Sequence, residues 1–144
     1  MTPRQILLVQ DTFAAVRDDA DQAARLFYQQ LFAQQPSLRA LFADDMREQR
    51  RRLMQMIGVA ISHLDRVEAL LPALHDLGRR HLAYGVRDDD YETVGAALLA
   101  TLALALGPRF DGETCAAWRA AYDLLAGAMK AGAEDGMVRE SAVA

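Results

Sequence analysis

The chain has 144 residues, is 52% hydrophobic and carries a net charge of −4, the size and composition of one compact domain with a substantial core and no room for a second. That charge argues against nucleic-acid binding, since the basic run Arg50, Arg51 and Arg52 sits inside a helical pattern where it is expected to coat a solvated face. A single cysteine, Cys115, excludes a disulfide framework and a thiolate zinc knuckle; with only Ile6 to Val9 continuously apolar near the start, no signal peptide is indicated and a reducing, cytoplasmic setting is expected.

Strand-like alternation is nowhere sustained, while helix-forming residues recur with helical period, so the chain is predicted to be all-α, with six or seven helices. Thr2, Pro3 and Gln5 form a capping box ahead of a first helix over 3–17. A second starts at Asp18 and Asp19 and stops near Pro36, where 37–42 fits a tight 3₁₀-like turn. A third occupies 46–64, Asp65 caps a short turn, and Pro72 opens a helix that closes near Gly85. The pattern restarts at Asp88 to Asp90. Val94 to Gly107, apolar except for Thr101, is too short to span a bilayer and reads as a central buried helix over about 90–106 that stops at Gly107 and Pro108. Asp111 caps a last helix reaching about Ala133, giving one domain over 1–136 and a flexible tail over 137–144.

Three polar side chains fall on apolar helix faces. His81 follows Leu70, Leu74 and Leu77 in steps that keep all four on one side of a helix. Gln49 begins a stripe continued by Leu53, Met56, Ile57, Ala60, Ile61 and Leu64, and Tyr28 shares a side with Ala24, Phe27, Leu31 and Phe32. Each has an ordinary explanation: a backbone carbonyl satisfies a core histidine, a tyrosine hydroxyl reaches the surface, and Gln49 lies early enough in its helix to face water. Together, each would cost about 1 to 3 kcal/mol if buried unpaired, and a polar or metal-bearing ligand would pair all three. A metal site made of protein alone is disfavoured, because His63, His75 and His81 lack the i, i+4 spacing that puts two imidazoles on one face.

The segments LFYQQLFAQQPSLRALF (26–42), EQRRRLM (48–54), LGRRHLAYGVRDDDYETVG (77–95) and AAWRAAY (116–122) resemble, in order and spacing, the globins, specifically the bacterial single-domain haemoglobins and the haem domain of flavohaemoglobins. The resemblance covers nearly the whole chain and implies a globin fold packed around haem b. It assigns His81 as proximal iron ligand, Tyr28 and Gln49 as the distal polar pair, Leu53 as their apolar neighbour and Phe42 as the ring packed on the porphyrin. Val86, Tyr91 and Val94 would line the proximal side, Arg52 and Arg80 are candidates for the haem propionates, and the second ring nitrogen of His81 is expected to donate to a carbonyl near Leu77. One departure is specific. The glutamate that flavohaemoglobin-like domains place eleven residues after the tyrosine matching Tyr122 is Ala133 here, with Glu134 one step late, so a strong electron push from a carboxylate behind His81 is not expected.

The nine glycines contain no dinucleotide fingerprint, so any reductase is expected to be separate. The resemblance implies reversible binding of oxygen, carbon monoxide and nitric oxide for storage, delivery or scavenging. Nitric oxide dioxygenation with a separate reductase is the enzymatic alternative, and a haem-free sensor or adaptor the third. Peroxidase chemistry ranks below these for want of a distal acid-base pair, and ligation of the iron by Tyr28 or Gln49 themselves stays open.

Overall fold

The computed structural model of the protein describes the backbone of residues 1–143 and the side chains of residues 1–135. Six α-helices, α1 (Pro3–Arg17), α2 (Ala20–Gln34), α3 (Arg47–Ser62), α4 (Leu71–Ala83), α5 (Asp88–Leu106) and α6 (Gly112–Val143), alternate with 3₁₀ segments at Pro36–Leu41, Leu64–Leu70 and Gly107–Arg109, and no strand occurs among the described residues. The capping signals act as expected. Thr2 and Gln5 exchange side-chain and backbone hydrogen bonds of 3.1 and 3.0 Å at the start of α1, and Asp111 accepts from the Thr114 N–H at 2.8 Å at the start of α6.

Several expectations need correcting. Leu70 lies in the 3₁₀ segment before α4, so the stripe leading to His81 starts at Leu74. The last helix does not stop near Ala133 but is continuous to Val143, since nothing after Ala133 removes a backbone donor and Gly136 alone costs only about 1 kcal/mol. The flexible tail expected over 137–144 falls on residues whose side chains lie outside the described residues. Arg50 is not solvated with its neighbours: its side chain is 12% exposed and its Nε lies 3.0 Å from Asp21 of α2, whereas Arg51 and Arg52 are exposed. Three consecutive helical residues point about 100° apart, so a run of like charges cannot all occupy one face. Met56, expected on the inner stripe, is 39% exposed.

Two apolar clusters form the core. The first joins Val9, Phe13 and Val16 of α1 to Ile61, Leu102, Leu106, Ala117 and Trp118, with the Trp118 indole donating to the Thr12 hydroxyl at 2.8 Å. The second, built from Phe27, Tyr28, Leu31, Leu38 and Ala97, gathers Phe32, Phe42, Leu53 and Val94 around it. α5 runs through both, and its buried face packs on α2, α1 and α6. Its continuous stretch Asp88–Arg109, longer than the Val94 to Gly107 run singled out in the sequence, is long and apolar enough, by length and composition, to cross a membrane. Thr101 and Leu102, buried against other helices of the bundle, give it the placement of a core helix.

The closest crossing joins α4 to α6. A Cβ built on Gly78 would lie 1.8 Å from the Met129 carbonyl oxygen, and one on Gly132 would lie 2.2 Å from that of His75. Only hydrogen fits at either point, so the two backbones touch without intervening side chains. α4 is therefore held mainly by α6, and α3 mainly by α2 and α1; α3 and α4 pack little on each other.

Candidate functional site

His81 sits in the last turn of α4, half-buried, with Nδ1 2.8 Å from the carbonyl oxygen of Leu77 one turn back. A carbonyl only accepts, so Nδ1 carries the ring proton and Nε2 keeps its lone pair. Burial pushes the imidazole pKa below its ordinary value; the Leu77 carbonyl partly offsets this and the Arg80 guanidinium adds to it. The neutral form of the ring is favoured, and its Nε2 lone pair has no partner among the described residues. Gly85, at φ 98°, and the Val86 N–H, which donates to the His81 carbonyl at 3.0 Å, turn the chain out of α4 directly behind it.

Tyr28 projects from α2 into the second apolar cluster, 6% exposed, with the Phe27, Phe42 and Phe32 rings centred 5.1, 5.5 and 5.8 Å from its own. Its hydroxyl accepts from the Gln49 side-chain amide of α3 at 3.0 Å. Burial raises the pKa of the phenol, more than the Gln49 bond and the charge of Arg52 lower it, so it stays protonated. One oxygen lone pair is engaged by Gln49 while the O–H proton has no protein acceptor among the described residues. The pair therefore presents a donor. Phe42 packs edge-on against both Tyr28 and Phe32, and its segment is fixed by Arg39, whose guanidinium donates to the carbonyls of Phe42, Ala43 and Asp44 at 3.2, 2.9 and 3.1 Å.

Phe42, Leu53 and Val94 thus gather with Tyr28 in one cluster, while Leu77, His81 and Val86 stand outside it, half-buried. Arg80 is exposed and reaches Asp76 at 3.1 Å, so its guanidinium is engaged within its own helix. Arg52 is exposed, without a carboxylate within 4 Å among the described residues. Tyr91 is buried, with its carbonyl accepting from the Tyr122 hydroxyl and the Lys130 ammonium 5.3 Å from its ring centre. Ala133 is half-buried and Glu134 exposed, and no carboxylate of α6 hydrogen-bonds to His81 among the described residues.

A network that the sequence reading missed flanks this region. Asp90, 6% exposed, accepts from the Gln35 amide at 2.9 Å and from the Arg87 N–H at 2.8 Å, and Thr93 donates to Gln35 at 2.8 Å. It ties the end of α2 to the turn behind His81. Its only sequence signal was the acidic run Asp88 to Asp90, in which just the third residue turns inward.

Among the described residues no three His, Cys, Asp or Glu side chains gather as a metal site. Haem fits what is present. The Nε2 of His81 would suit a haem iron, accessible apolar surface on Leu53, Leu77, Val86 and Val94 would suit a flat hydrophobic ring, and α3 and α4, which carry Leu53 and Leu77, pack little on each other.

Comparison with known proteins agrees. The Globin family model matches residues 25–129. A flavohemoprotein of Deinococcus radiodurans is 32% identical over 140 residues, 95% of this chain and 34% of that protein; the chain spans about a third of the length of the flavohemoproteins it matches. Among solved structures, a bacterial globin from Campylobacter jejuni superposes with a TM-score of 0.83 at 24% identity, covering 93% of this chain and 97% of that one. An engineered carbene transferase derived from a candidate nitric oxide dioxygenase of Rhodothermus marinus gives 0.87 at 22%, covering 98% and 99%.

Proposed function

The chain belongs to the globin family, and on that premise we propose that it is a cytoplasmic haem b protein that reversibly binds oxygen and related diatomic gases. The observation that carries this reading is the state of His81, whose protonated Nδ1 is tied to Leu77 and whose Nε2 has no partner among the described residues. When bound, haem supplies the ferrous centre at which such gases are taken up. Leu77 holds the imidazole in one tautomer and one orientation, so ligation costs little reordering of the ring. Phe42, Leu53, Val86, Tyr91 and Val94 supply the apolar lining, and Arg52 is better placed than Arg80 to meet a propionate because Arg80 is already engaged with Asp76.

On the distal side, Gln49 fixes the Tyr28 oxygen and leaves the hydroxyl proton to be donated to a ligand that gains negative charge. Such a bond is worth about 0.5 to 1.5 kcal/mol. Oxygen gains that charge and carbon monoxide gains far less, so Tyr28 discriminates between them. The aromatic packing around Tyr28 excludes water that would compete for the same proton.

Similarity to flavohemoproteins supports a second reading, nitric oxide dioxygenation. Nitric oxide, oxygen and one electron would give nitrate, the electron being supplied by a separate reductase.

Hemin titration tests the premise. The purified chain should take up one equivalent with a Soret band typical of histidine ligation, and His81→Ala should lose that band while keeping its helical circular dichroism. A chain that folds and takes up no hemin would favour the haem-free sensor or adaptor. Stopped-flow mixing of the oxygenated protein with nitric oxide, in the presence of a reductase, separates catalyst from carrier.

A further inference from the structure

A cavity of about 240 Å³ opens between α5 and α6, room for about eight waters at roughly 30 Å³ each. Its walls are the rings of Tyr91 and Tyr122, and Gly127 on its lining has nothing within 4 Å of where a Cβ would stand. Four charged residues border it. Arg119 and Asp123, one turn apart on α6, face each other at 3.6 Å and largely cancel. Glu92 from α5 and Lys130 from α6 each lack an oppositely charged group within 4 Å among the described residues, and the Lys130 ammonium stands over the Tyr91 ring at 5.3 Å. Tyr91 is 7% exposed, yet its hydroxyl has no protein partner among the described residues.

The lining therefore offers one uncompensated anion, one uncompensated cation, two aromatic faces and a free hydroxyl. A simple anion would be repelled by Glu92 and a simple cation by Lys130, while a purely apolar molecule would leave the exposed Glu92 and the half-buried Lys130 without a partner. We infer that this cavity binds a small zwitterion with an apolar or aromatic body, the chemistry of a hydrophobic α-amino acid: carboxylate to Lys130, ammonium to Glu92, side chain against Tyr91 and Tyr122. The cavity shares Tyr91 with the lining proposed for haem, but the recognition of charge by Glu92 and Lys130 uses no residue of the His81 or Tyr28 sites.

Calorimetry and ¹⁵N-shift titrations of the full chain with L-phenylalanine, 3-phenylpropionate and phenethylamine test it, since the second probe lacks the ammonium and the third lacks the carboxylate. Phenylalanine should saturate, with each truncated probe weaker by about fivefold, the upper range for one exposed ion pair. Glu92→Gln should bring phenylpropionate level with phenylalanine, and Lys130→Gln should do the same for phenethylamine. Gly127→Leu, which fills open space and improves helix propensity, should abolish binding of phenylalanine. Absence of saturation, equal binding of all three probes, or an unchanged affinity in Gly127→Leu overturns the inference; the two surface charge variants decide it even if Gly127→Leu disturbs the fold.

Discussion

The hydrogen bond from Gln49 to Tyr28 makes a prediction about order of action. If Gln49 works by holding the Tyr28 oxygen at 3.0 Å, and only Tyr28 reaches the ligand, the two residues act in series. Tyr28→Phe removes the donated bond altogether. At the upper end of a net hydrogen bond, about 1.4 kcal/mol, oxygen release should speed up about tenfold. Gln49→Leu leaves the hydroxyl in place but free to rotate, for a loss of about 0.5 kcal/mol and a two- to threefold faster release. The double variant should then release oxygen no faster than Tyr28→Phe alone, because the bond that Gln49 orients is already gone. Stopped-flow displacement of oxygen by carbon monoxide gives all four rates, and carbon monoxide release itself should move by less than twofold. Effects of the two substitutions that multiply in full would show that Gln49 touches the ligand directly, and unchanged release in Tyr28→Phe would remove the hydroxyl from the mechanism.

Other consequences concern stability and protonation. Gly132→Ala places a methyl group 2.2 Å from the His75 carbonyl, and the overpacking should cost about 1 to 3 kcal/mol in urea unfolding, whereas Gly127→Ala, with open space around it, should raise stability by about 0.5 to 1 kcal/mol; equal effects would refute the backbone contact. Asp90→Asn leaves either the Gln35 amide or the Arg87 N–H facing another donor, which should cost about 1 to 3 kcal/mol and speed amide exchange over 84–87, and protection unchanged there would exclude the network from holding that turn. In the haem-free chain the His81 ring should titrate below the ordinary 6.5, because burial disfavours its charged form. The unfolded chain then binds the proton more readily than the folded one, so the stability His81 supplies is present above 6.5 and is lost as pH falls through the lower folded value. His81→Leu should flatten this dependence, and a proton NMR midpoint at or above 6.5 would contradict it.

What could be read from the sequence was what depends on local spacing. The step of four from Leu77 to His81 places the ring nitrogen beside a carbonyl of its own helix, and that contact is set by helical geometry alone. The Tyr28–Gln49 bond was not legible from spacing, because it spans two helices and depends on how α2 crosses α3; periodicity gave only the inward direction of each side chain, and the resemblance to globins is what paired them. Arg50 was misread because a run of three arginines looks like a surface feature until its neighbour Asp21, on another helix, is known. Asp90 was hidden in a triplet of aspartates for the same reason, and the end of α6 was placed too early because alanine, glycine and charged residues past Ala133 carry neither a clear stop nor a clear continuation.

The paired absence of side chains at Gly78 and Gly132 makes α4 and α6 move as one piece. With no side chain between them to give way, a sliding of α6 would be passed on to α4 and so to the imidazole of His81. Substitutions on the outer surface of α6, remote from any ligand, then become a means of setting the height of that nitrogen, and with it the ease with which a gas is let go.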